Sequence, residues 1–251
     1  MCPLTLGGSS HAAPTTFADL MDFLAARPQP ALVFYDGSAA DPSARVELSG
    51  RVLANWATKL IGLLTDEHDL DAGEKLLIDM APHWKAAALG LAAGALGAEV
   101  EFTGTEAALS SGEAGVSQSD LAVVATERPV EWAEGSAVAG AGLVAVSLGM
   151  VDESFPEATG QNLPAWVTDL SAEARQHPDQ LLSPLPPVAL PPAPPSSTDG
   201  PLLVTQWGPA SFAQMLGTWA AGGVVVMYRG PEGGQAWAQM LRNEGLSSES
   251  R

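Results

Sequence analysis

The chain has 251 residues and a formal net charge of −18, with 29 acidic residues against 11 lysines and arginines. Nucleic acids and anionic membranes attract proteins through dense cationic surfaces, so this charge argues against both as partners. It also weighs against a site for a highly phosphorylated ligand, although backbone amides at a helix N-terminus can hold phosphate without a cationic side chain.

At this length the chain can bury a large hydrophobic core, and it needs no disulfide or metal to hold it together. The single cysteine, Cys2, has no second cysteine to pair with, and we interpret it as an exposed bystander thiol. The first four residues lack the basic and long apolar stretches of a secretory signal. The longest weakly polar run, residues 86–98, is too short to span a bilayer, so the sequence predicts a cytoplasmic protein.

The first quarter of the chain predicts two helices separated by a β-hairpin. Apolar residues recur at helical spacing in both helices, so each should have one buried face. Between them lies an apolar run of strand length, followed by a turn and a second, shorter run. In chain order the elements are a helix capped by Thr15 or Thr16, a strand at residues 31–35, its partner at 45–48 and a helix capped by Ser49.

A strand–helix–strand unit and two further strands follow an acidic loop. In chain order they are a strand at residues 75–80, a helix at 83–94, and strands at 98–102, 121–125 and 143–147. A strand, a crossover helix and a second strand form the unit from which parallel sheets are built. The sequence therefore predicts an α/β protein with a doubly wound, mostly parallel sheet and helices on both faces.

Residues 48–102 resemble the opening of the large domain of acyl-CoA synthetases and related AMP-forming ligases. In that family a helix, an acidic loop with glycine, an apolar strand, an Ala-rich helix and another strand follow one another, as they do here. Residues 80–84, with the sequence MAPHW, stand where the family has its strand-ending proline motif. The chain is also similar to a set of actinobacterial proteins with distant similarity to AMP-binding enzymes. The resemblance implies the fold of the N-terminal subdomain of adenylate-forming ligases.

A weaker resemblance to the same family covers residues 212–227, where a helix ends in two glycines and an apolar strand follows. Ahead of this unit the family has a phosphate-binding loop rich in Ser, Thr and Gly that ends in Pro-Lys. Here residues 201–211 contain the bulky Trp207 and no lysine or arginine, and the chain has no lysine after Lys85. The family's phosphate loop and catalytic lysines are therefore missing from the positions where the resemblance implies them.

Thr205, Gly208 and Ser211 are the candidate cofactor-binding residues of this loop. Their hydroxyls and backbone amides precede a predicted helix, and a helix N-terminus can bind phosphate through its free N–H groups. We identify no catalytic residue, because no nucleophile and base can be paired from their order in the sequence.

The acidic loop at residues 66–71 has the composition of a metal site, with four carboxylates and His68 close together. It lacks the glycine and the closing glutamate of an EF-hand, and the resemblance implies an ordinary helix-to-strand turn at this position. We therefore predict no metal ligand.

A Pro-rich segment divides the chain. Seven prolines lie between residues 183 and 197, a composition that forms neither a helix nor a central strand and predicts a mobile connector. We predict a main α/β domain at residues 1–182, a linker at 183–200, and a further strand–helix–strand–helix piece at 201–251 that packs on the same domain.

Two functions from different classes agree with these residues. The first is a truncated, catalytically inactive relative of AMP-binding acyl-CoA synthetases that acts as a binding or scaffolding protein and needs no cofactor. The alternative is an active enzyme of the AMP-forming acid–thiol ligase type that binds ATP, AMP or coenzyme A and completes its site with a partner chain. A dinucleotide-binding oxidoreductase is excluded, because no glycine fingerprint follows a predicted strand.

Residues 201–244 carry an apolar face that could be open or covered. In complete ligases the N-terminal half packs against a second, similar subdomain, so the resemblance implies an open face that binds a second copy or another protein. Periodicity allows equally that these side chains pack inward on their own sheet. The face consists of Leu202, Val204, Phe212, Met215, Trp219 and Trp237.

Overall fold

The computed structural model describes residues 13–38, 44–103, 121–135, 140–193, 200–208 and 210–246. Cys2 and residues 194–199 of the Pro-rich segment lie outside these ranges. The strands are β1 (Pro30–Asp36), β2 (Arg45–Ser49), β3 (Lys75–Asp79), β4 (Glu99–Thr103), β5 (Leu121–Thr126), β6 (Gly142–Ala145), β7 (Thr168–Asp169), β8 (Leu202–Val204) and β9 (Val225–Arg229). The helices are α1 (Phe17–Ala25), α2 (Gly50–His68), α3 (Trp84–Leu96), α4 (Pro129–Glu134), α5 (Phe155–Thr159), α6 (Leu170–Glu173), α7 (Ser211–Ala220) and α8 (Gly234–Glu244).

The described strands form two sheets. One has five strands in the order β4-β3-β5-β6-β7, and every neighbouring pair is parallel. The other has four strands in the order β2-β1-β9-β8, in which only the β1–β2 hairpin is antiparallel. The α/β class and the mostly parallel pairing are confirmed. The expectation of a single sheet is wrong, since the strands are divided between two sheets. The sequence could not show this division, because strands buried on both faces look alike in sequence, whichever sheet they join.

The main hydrophobic core lies between the two sheets, where it encloses α1, α2 and α3. Helix α3 is buried from Trp84 to Ala95, on all its faces. A side chain at Gly94 would come within 2.6 Å of the Phe17 ring, and one at Gly90 within 2.9 Å of the Phe102 ring. The glycines of α3 therefore let helix and aromatic rings approach at distances that any larger residue would prevent.

The sequence-based helix caps are confirmed. Thr16 and Asp19 form a capping box at the start of α1, and the Ser49 hydroxyl accepts a hydrogen bond from the Val52 amide at the start of α2. Such caps pair backbone N–H groups that have no partner inside the helix. Of the two candidate caps of α1, Thr16 is the one that forms the cap, and Ser49 caps α2 as predicted.

Two smaller apolar clusters cover the outer faces of the sheets. Helices α4 and α5 place Trp132 and Phe155 on the outer face of the five-stranded sheet. Helix α8 places Trp237, Met240 and Leu241 on the outer face of the four-stranded sheet. Each sheet is thus covered by helices on both faces, as a parallel sheet requires.

The apolar face of residues 201–244 is covered by the protein itself. Met215 and Trp219 of α7 are fully buried in the main core, and Val204 and Trp237 are buried as well. Leu202 and Phe212 are half-buried and pack against the same core. The expectation of an open face for a partner is therefore wrong for these residues. The physical reason is that β8 and β9 complete the sheet begun by β1 and β2, so α7 closes the layer between the sheets.

The Pro-rich segment forms a strap, residues 184–193, that lies against the core. The Phe17 amide donates a hydrogen bond to the Val188 carbonyl over 2.9 Å, and the Leu190 amide donates one to the Thr15 carbonyl over 2.9 Å. Leu185, Val188 and Leu190 pack inward. The strap is therefore bonded to the start of α1 at Val188 and Leu190, and its mobility stays a prediction. The division of the chain into domains stays a prediction.

Among the described residues, no helix is both long enough and apolar enough to cross a membrane.

Candidate functional site

The carboxyl ends of the parallel strands from both sheets come together on one side of the protein. Trp207, after β8, donates a hydrogen bond to the Met80 carbonyl after β3, and Arg229 at the end of β9 pairs with Glu127 after β5. In α/β sheets, ligands bind outside the carboxyl ends of the strands, where the strand order reverses. In the five-stranded sheet this point lies between β3 and β5, because the chain moves outward to β4 and then returns. This edge is the candidate functional site.

Asp79 is the centre of a buried hydrogen-bond network at the point of reversal. It ends β3 and is fully buried. Its carboxylate accepts hydrogen bonds from Thr103 Oγ1 at 2.9 Å, Thr126 Oγ1 at 3.2 Å, Arg128 Nη2 at 2.9 and 3.2 Å, and Trp132 Nε1 at 2.7 Å. A carboxylate has about four lone-pair positions. Asp79 therefore has no position left for a substrate or metal, and it binds the ends of β3, β4 and β5 together.

A cleft of about 450 Å³ lies beside Arg128. Arg128 Nη2 is committed to Asp79, while its Nη1 lies 3.5 Å from the exposed carboxylate of Glu131. The described residues that line the cleft are Glu127, Arg128, Val130, Glu131, Gln161 and Asn162. Glu127 is paired with Arg229 and Arg128 with Asp79, so the exposed carboxylate of Glu131 leaves this wall with a negative charge, which disfavours a phosphate group.

His83 caps α3 and bonds to the loop after β6. Its Nδ1 accepts a hydrogen bond from the Lys85 amide, so Nε2 carries the proton and donates to the Leu148 carbonyl at 3.0 Å. Burial, and to a smaller extent the charge of Lys85, lowers the pKa of His83 to about 3. The imidazole is therefore neutral at physiological pH, and both of its nitrogens form hydrogen bonds to backbone groups.

Lys85 is almost completely buried and forms no ion pair with a carboxylate of the described residues. Its Nζ donates to the Ser147 carbonyl at 2.7 Å, to Ser171 Oγ at 3.1 Å and to Ser147 Oγ at 3.3 Å. Burial lowers the pKa of Lys85 to about 8, against the attraction of Asp152 and Asp169. All three ammonium protons are used inside the protein, so Lys85 joins α3 to the end of β6 and the start of α6.

The three candidate cofactor-binding residues lie at the same edge but bond to the protein. Thr205 Oγ1 donates to Glu232 at 3.0 Å. The Gly208 amide donates to Ser211 Oγ at 2.8 Å, and the Ser211 amide donates to the Gly208 carbonyl at 3.0 Å. Ser211 begins α7 and is buried. Gly208 and Ser211 therefore close a turn on each other, whereas Thr205 bonds to Glu232 on the loop after β9.

The pair formed by Arg229 and Glu127 was missed by reasoning from the sequence. Arg229 Nη2 lies 2.7 Å from a Glu127 carboxylate oxygen, whereas Arg229 Nη1 is buried and has no hydrogen-bond partner in the part of the chain that the structure describes. The pair ties the four-stranded sheet to the end of β5. Arg229 ends one apolar strand and Glu127 follows another. Since the carboxyl ends of strands converge in α/β folds, this placement could have pointed to the pair.

The side chains of the acidic loop at residues 66–71 lie in different surroundings and do not converge on one point. Asp66 lies 3.5 Å from His177 Nδ1, while the His68 ring occupies the space that a side chain at Gly142 would need. Asp69 ends α2 with left-handed backbone geometry. Within the described ranges, no group of three or more His, Cys, Asp and Glu residues is placed to hold a metal ion.

The chain matches no protein-family model and no curated protein. Among solved structures, an acyl-CoA synthetase from Brucella canis superposes with a TM-score of 0.69 and 15% identity, over 97% of this chain and 48% of that one. The acetoacetyl-CoA synthetase from Streptomyces lividans superposes with a TM-score of 0.65 and 13% identity, over 92% of this chain and 41% of that one.

A third structure consists of an N-terminal domain. The N-terminal domain of FACL13 from Mycobacterium tuberculosis superposes with a TM-score of 0.59 and 15% identity, over 93% of this chain and 62% of that one. The chain spans about half the length of the acyl-CoA synthetase that it matches. At these identities the likeness concerns the fold alone: this chain has the α/β fold of the N-terminal part of adenylate-forming ligases.

Proposed function

We propose that this protein is a catalytically inactive relative of AMP-binding acyl-CoA synthetases that acts as a binding or scaffolding protein. The observation that carries the proposal is that Asp79, Thr205, Trp207 and Ser211 at the carboxyl edge use their polar groups in bonds to the protein itself. Asp79 is saturated, Thr205 and Ser211 bond within their own loop or to Glu232, and Trp207 fills the space after β8. An adenylation site instead needs hydrogen-bond donors that are free to stabilise the negative charge that develops in the transition state.

The proposed loss of activity is tested by ATP–pyrophosphate exchange with a panel of fatty, aryl and amino acids. An acyl-adenylate transition state places charge on the α-phosphate, and each missing preorganised donor costs on the order of a hundredfold in rate, about 3 kcal/mol. We expect no exchange above background, with an active acyl-CoA synthetase as the positive control. Exchange that depends on both the acid and this protein contradicts the proposal.

A second candidate function is an active nucleotide- or acyl-CoA-binding enzyme that completes its site with a partner chain. Two observations favour it: the buried Nη1 of Arg229 has no partner among the described residues, and the N-terminal subdomain of NpsA from Klebsiella oxytoca has been solved in complex with 3-hydroxybenzoyl-AMSN. NpsA shares 14% identity with this chain, at a TM-score of 0.54.

Calorimetric titration with ATP, AMP and coenzyme A separates the two functions. The inactive binding protein binds none of them at millimolar concentration, whereas the enzyme binds at least one. Sedimentation velocity of the same sample shows whether a second copy or a copurifying protein is present. A partner would have to use a surface other than the apolar face of residues 201–244, since that face is buried.

A further inference from the structure

Strand β8 forms one edge of the four-stranded sheet and pairs on one side only. Among the described strands its neighbour is β9, with Leu203 opposite Val226. The Leu202 amide donates to the Val224 carbonyl over 2.9 Å, so the polar backbone groups of Leu202 point toward β9. These groups alternate in direction along a strand, so the N–H and C=O of Leu203 point away from β9, to the free side. The described residues supply no hydrogen-bond partner for them there.

The other three edge strands of the described sheets carry charged side chains. They are β2 with Arg45 and Glu47, β4 with Glu99 and Glu101, and the two-residue β7 with Asp169. Charged side chains, prolines and short length keep an edge strand from pairing with another chain. Strand β8 is short and follows Pro201, but it is the one described edge without a charged side chain. Of these edges, β8 therefore opposes an added strand the least.

The side chains of β8 favour an apolar partner strand. Leu202 packs on the main core, and Leu203 packs on the outer cluster that α8 covers. Both side chains stay half-buried. An added strand places its own alternate side chains beside them on the two faces of the sheet, and apolar cross-strand pairs stabilise a sheet.

The charge of the protein distinguishes between possible partners. A second copy would bring another chain of net charge −18 to the same edge, and a large net charge of one sign opposes such association. An apolar segment with lysine or arginine at its ends is attracted instead.

We propose that the free edge of β8 binds an extended, apolar segment of a partner protein, flanked by lysine or arginine, which adds a fifth strand to the four-stranded sheet. The N–H and C=O of Leu203 form the central hydrogen bonds to this segment. The edge is distinct from the apolar face of residues 201–244, which the protein itself covers. The inference rests on the binding role proposed above and specifies its partner class.

The test is calorimetric titration with a synthetic peptide that has a Val-Thr-Val-Ile-Val core and two lysines at each end. Leu203→Pro removes the N–H on the free side, a place where an edge strand tolerates proline, and leaves the bonds to β9 intact. The matched control, Leu203→Ala, shortens the same side chain but keeps the N–H. We expect the peptide to bind the wild-type protein and Leu203→Ala similarly, and Leu203→Pro at least about tenfold more weakly.

Several outcomes overturn the proposal. The peptide could fail to bind the wild-type protein, or bind Leu203→Pro as tightly as Leu203→Ala. A peptide with glutamates in place of the lysines should bind about tenfold more weakly, and equal binding of the two peptides contradicts the charge assigned to the partner. In sedimentation velocity, a wild-type dimer that Leu203→Pro dissociates would show that the edge pairs with a second copy.

If Leu203→Pro does not fold, amide hydrogen exchange of the wild-type protein provides the test. The peptide should slow exchange at Leu203 and leave Leu202, which is already bonded to Val224, nearly unchanged. Unchanged exchange at Leu203 contradicts the proposal. The proposed inactivity is tested separately: pyrophosphate exchange would contradict it and leave the peptide titrations interpretable, whereas failure to bind the peptide leaves the inactivity standing.

Discussion

The carboxyl ends of the two sheets are closed in different ways. At the end of the five-stranded sheet, the single buried carboxylate of Asp79 collects hydrogen bonds from side chains on β4, β5, the loop after β5 and α4. At the end of the four-stranded sheet, Thr205, Trp207 and Arg229 each make one side-chain hydrogen bond or ion pair to a separate acceptor. The first edge depends on one shared group, whereas the second depends on several independent contacts.

This difference has an energetic consequence. Removing a shared buried carboxylate leaves several donors without an acceptor at once and takes from a half-buried guanidinium its buried counter-ion, and such losses are strongly unfavourable. Removing one contact of the second edge leaves the others in place, because contacts without common partners act almost additively. The first edge should therefore be rigid, and the second should open locally.

The largest expected effect is that of Asp79→Ala. The substitution leaves Arg128 and Trp132 Nε1 without their acceptor in the protein interior, and we expect it to lower the free energy of unfolding by about 3–5 kcal/mol. Urea unfolding at pH 7 measures the change. The control is Glu131→Ala, which removes the exposed carboxylate on the other side of Arg128 and should cost no more than about 0.5 kcal/mol. Equal effects of the two substitutions would show that the edge is not centred on Asp79.

The next effect concerns pH and Lys85, which holds the end of β6. Its pKa is about 8 in the folded protein, against 10.5 ordinarily. Below pH 8 both the folded and the unfolded state carry the proton, so stability does not change with pH through this group. Between pH 8 and 10.5 the unfolded state binds more protons, so Lys85 makes the protein more stable as pH rises, by about 3 kcal/mol in total.

Lys85→Met isolates this contribution. Urea unfolding of the wild-type protein and the variant is compared at pH 7 and at pH 10, since other groups that titrate in this range cancel in the difference. We expect the wild-type protein to gain unfolding free energy relative to Lys85→Met between pH 7 and pH 10. A difference that does not depend on pH contradicts the lowered pKa.

A smaller effect is expected for Trp207→Phe at the end of the four-stranded sheet. Phenylalanine retains a ring against Phe102 but cannot donate to the Met80 carbonyl, so the free energy of unfolding should fall by about 1 kcal/mol. Trp166→Phe, at an exposed tryptophan, serves as the control and should change nothing measurable. A loss as large as that of Asp79→Ala would mean that the two edges do not differ.

The smallest effect is expected for Thr205→Val. The Thr205 hydroxyl bonds to Glu232 in an exposed part of the loop, where water replaces the lost partner. We expect a change within about 0.5 kcal/mol in unfolding free energy. An additive result for the double variant with Trp207→Phe would support independent contacts, and strong coupling between the two would contradict them.

Much of the fold could be predicted from local patterns. The caps at Thr16 and Ser49, the β1–β2 hairpin and the crossover from β3 through α3 to β4 are each encoded within a few neighbouring residues. The candidate site was predicted only in part. Thr205, Gly208 and Ser211 lie at this edge, and their role in binding stays a prediction. The pairing of Arg229 with Glu127 joins residues far apart in the chain, and no local pattern contains it.

The sequence by itself determined the α/β class, the positions of most helices and strands, and the absence of a cationic phosphate loop at residues 201–211. Only the tertiary structure decided what covers each apolar or polar group. Periodicity identifies the face that carries Met215 and Trp219 but not the sheet that buries it, and composition does not show that the strap bonds to α1. The reason is physical: local backbone preferences act over a few residues, whereas burial and hydrogen bonding depend on which distant segments meet.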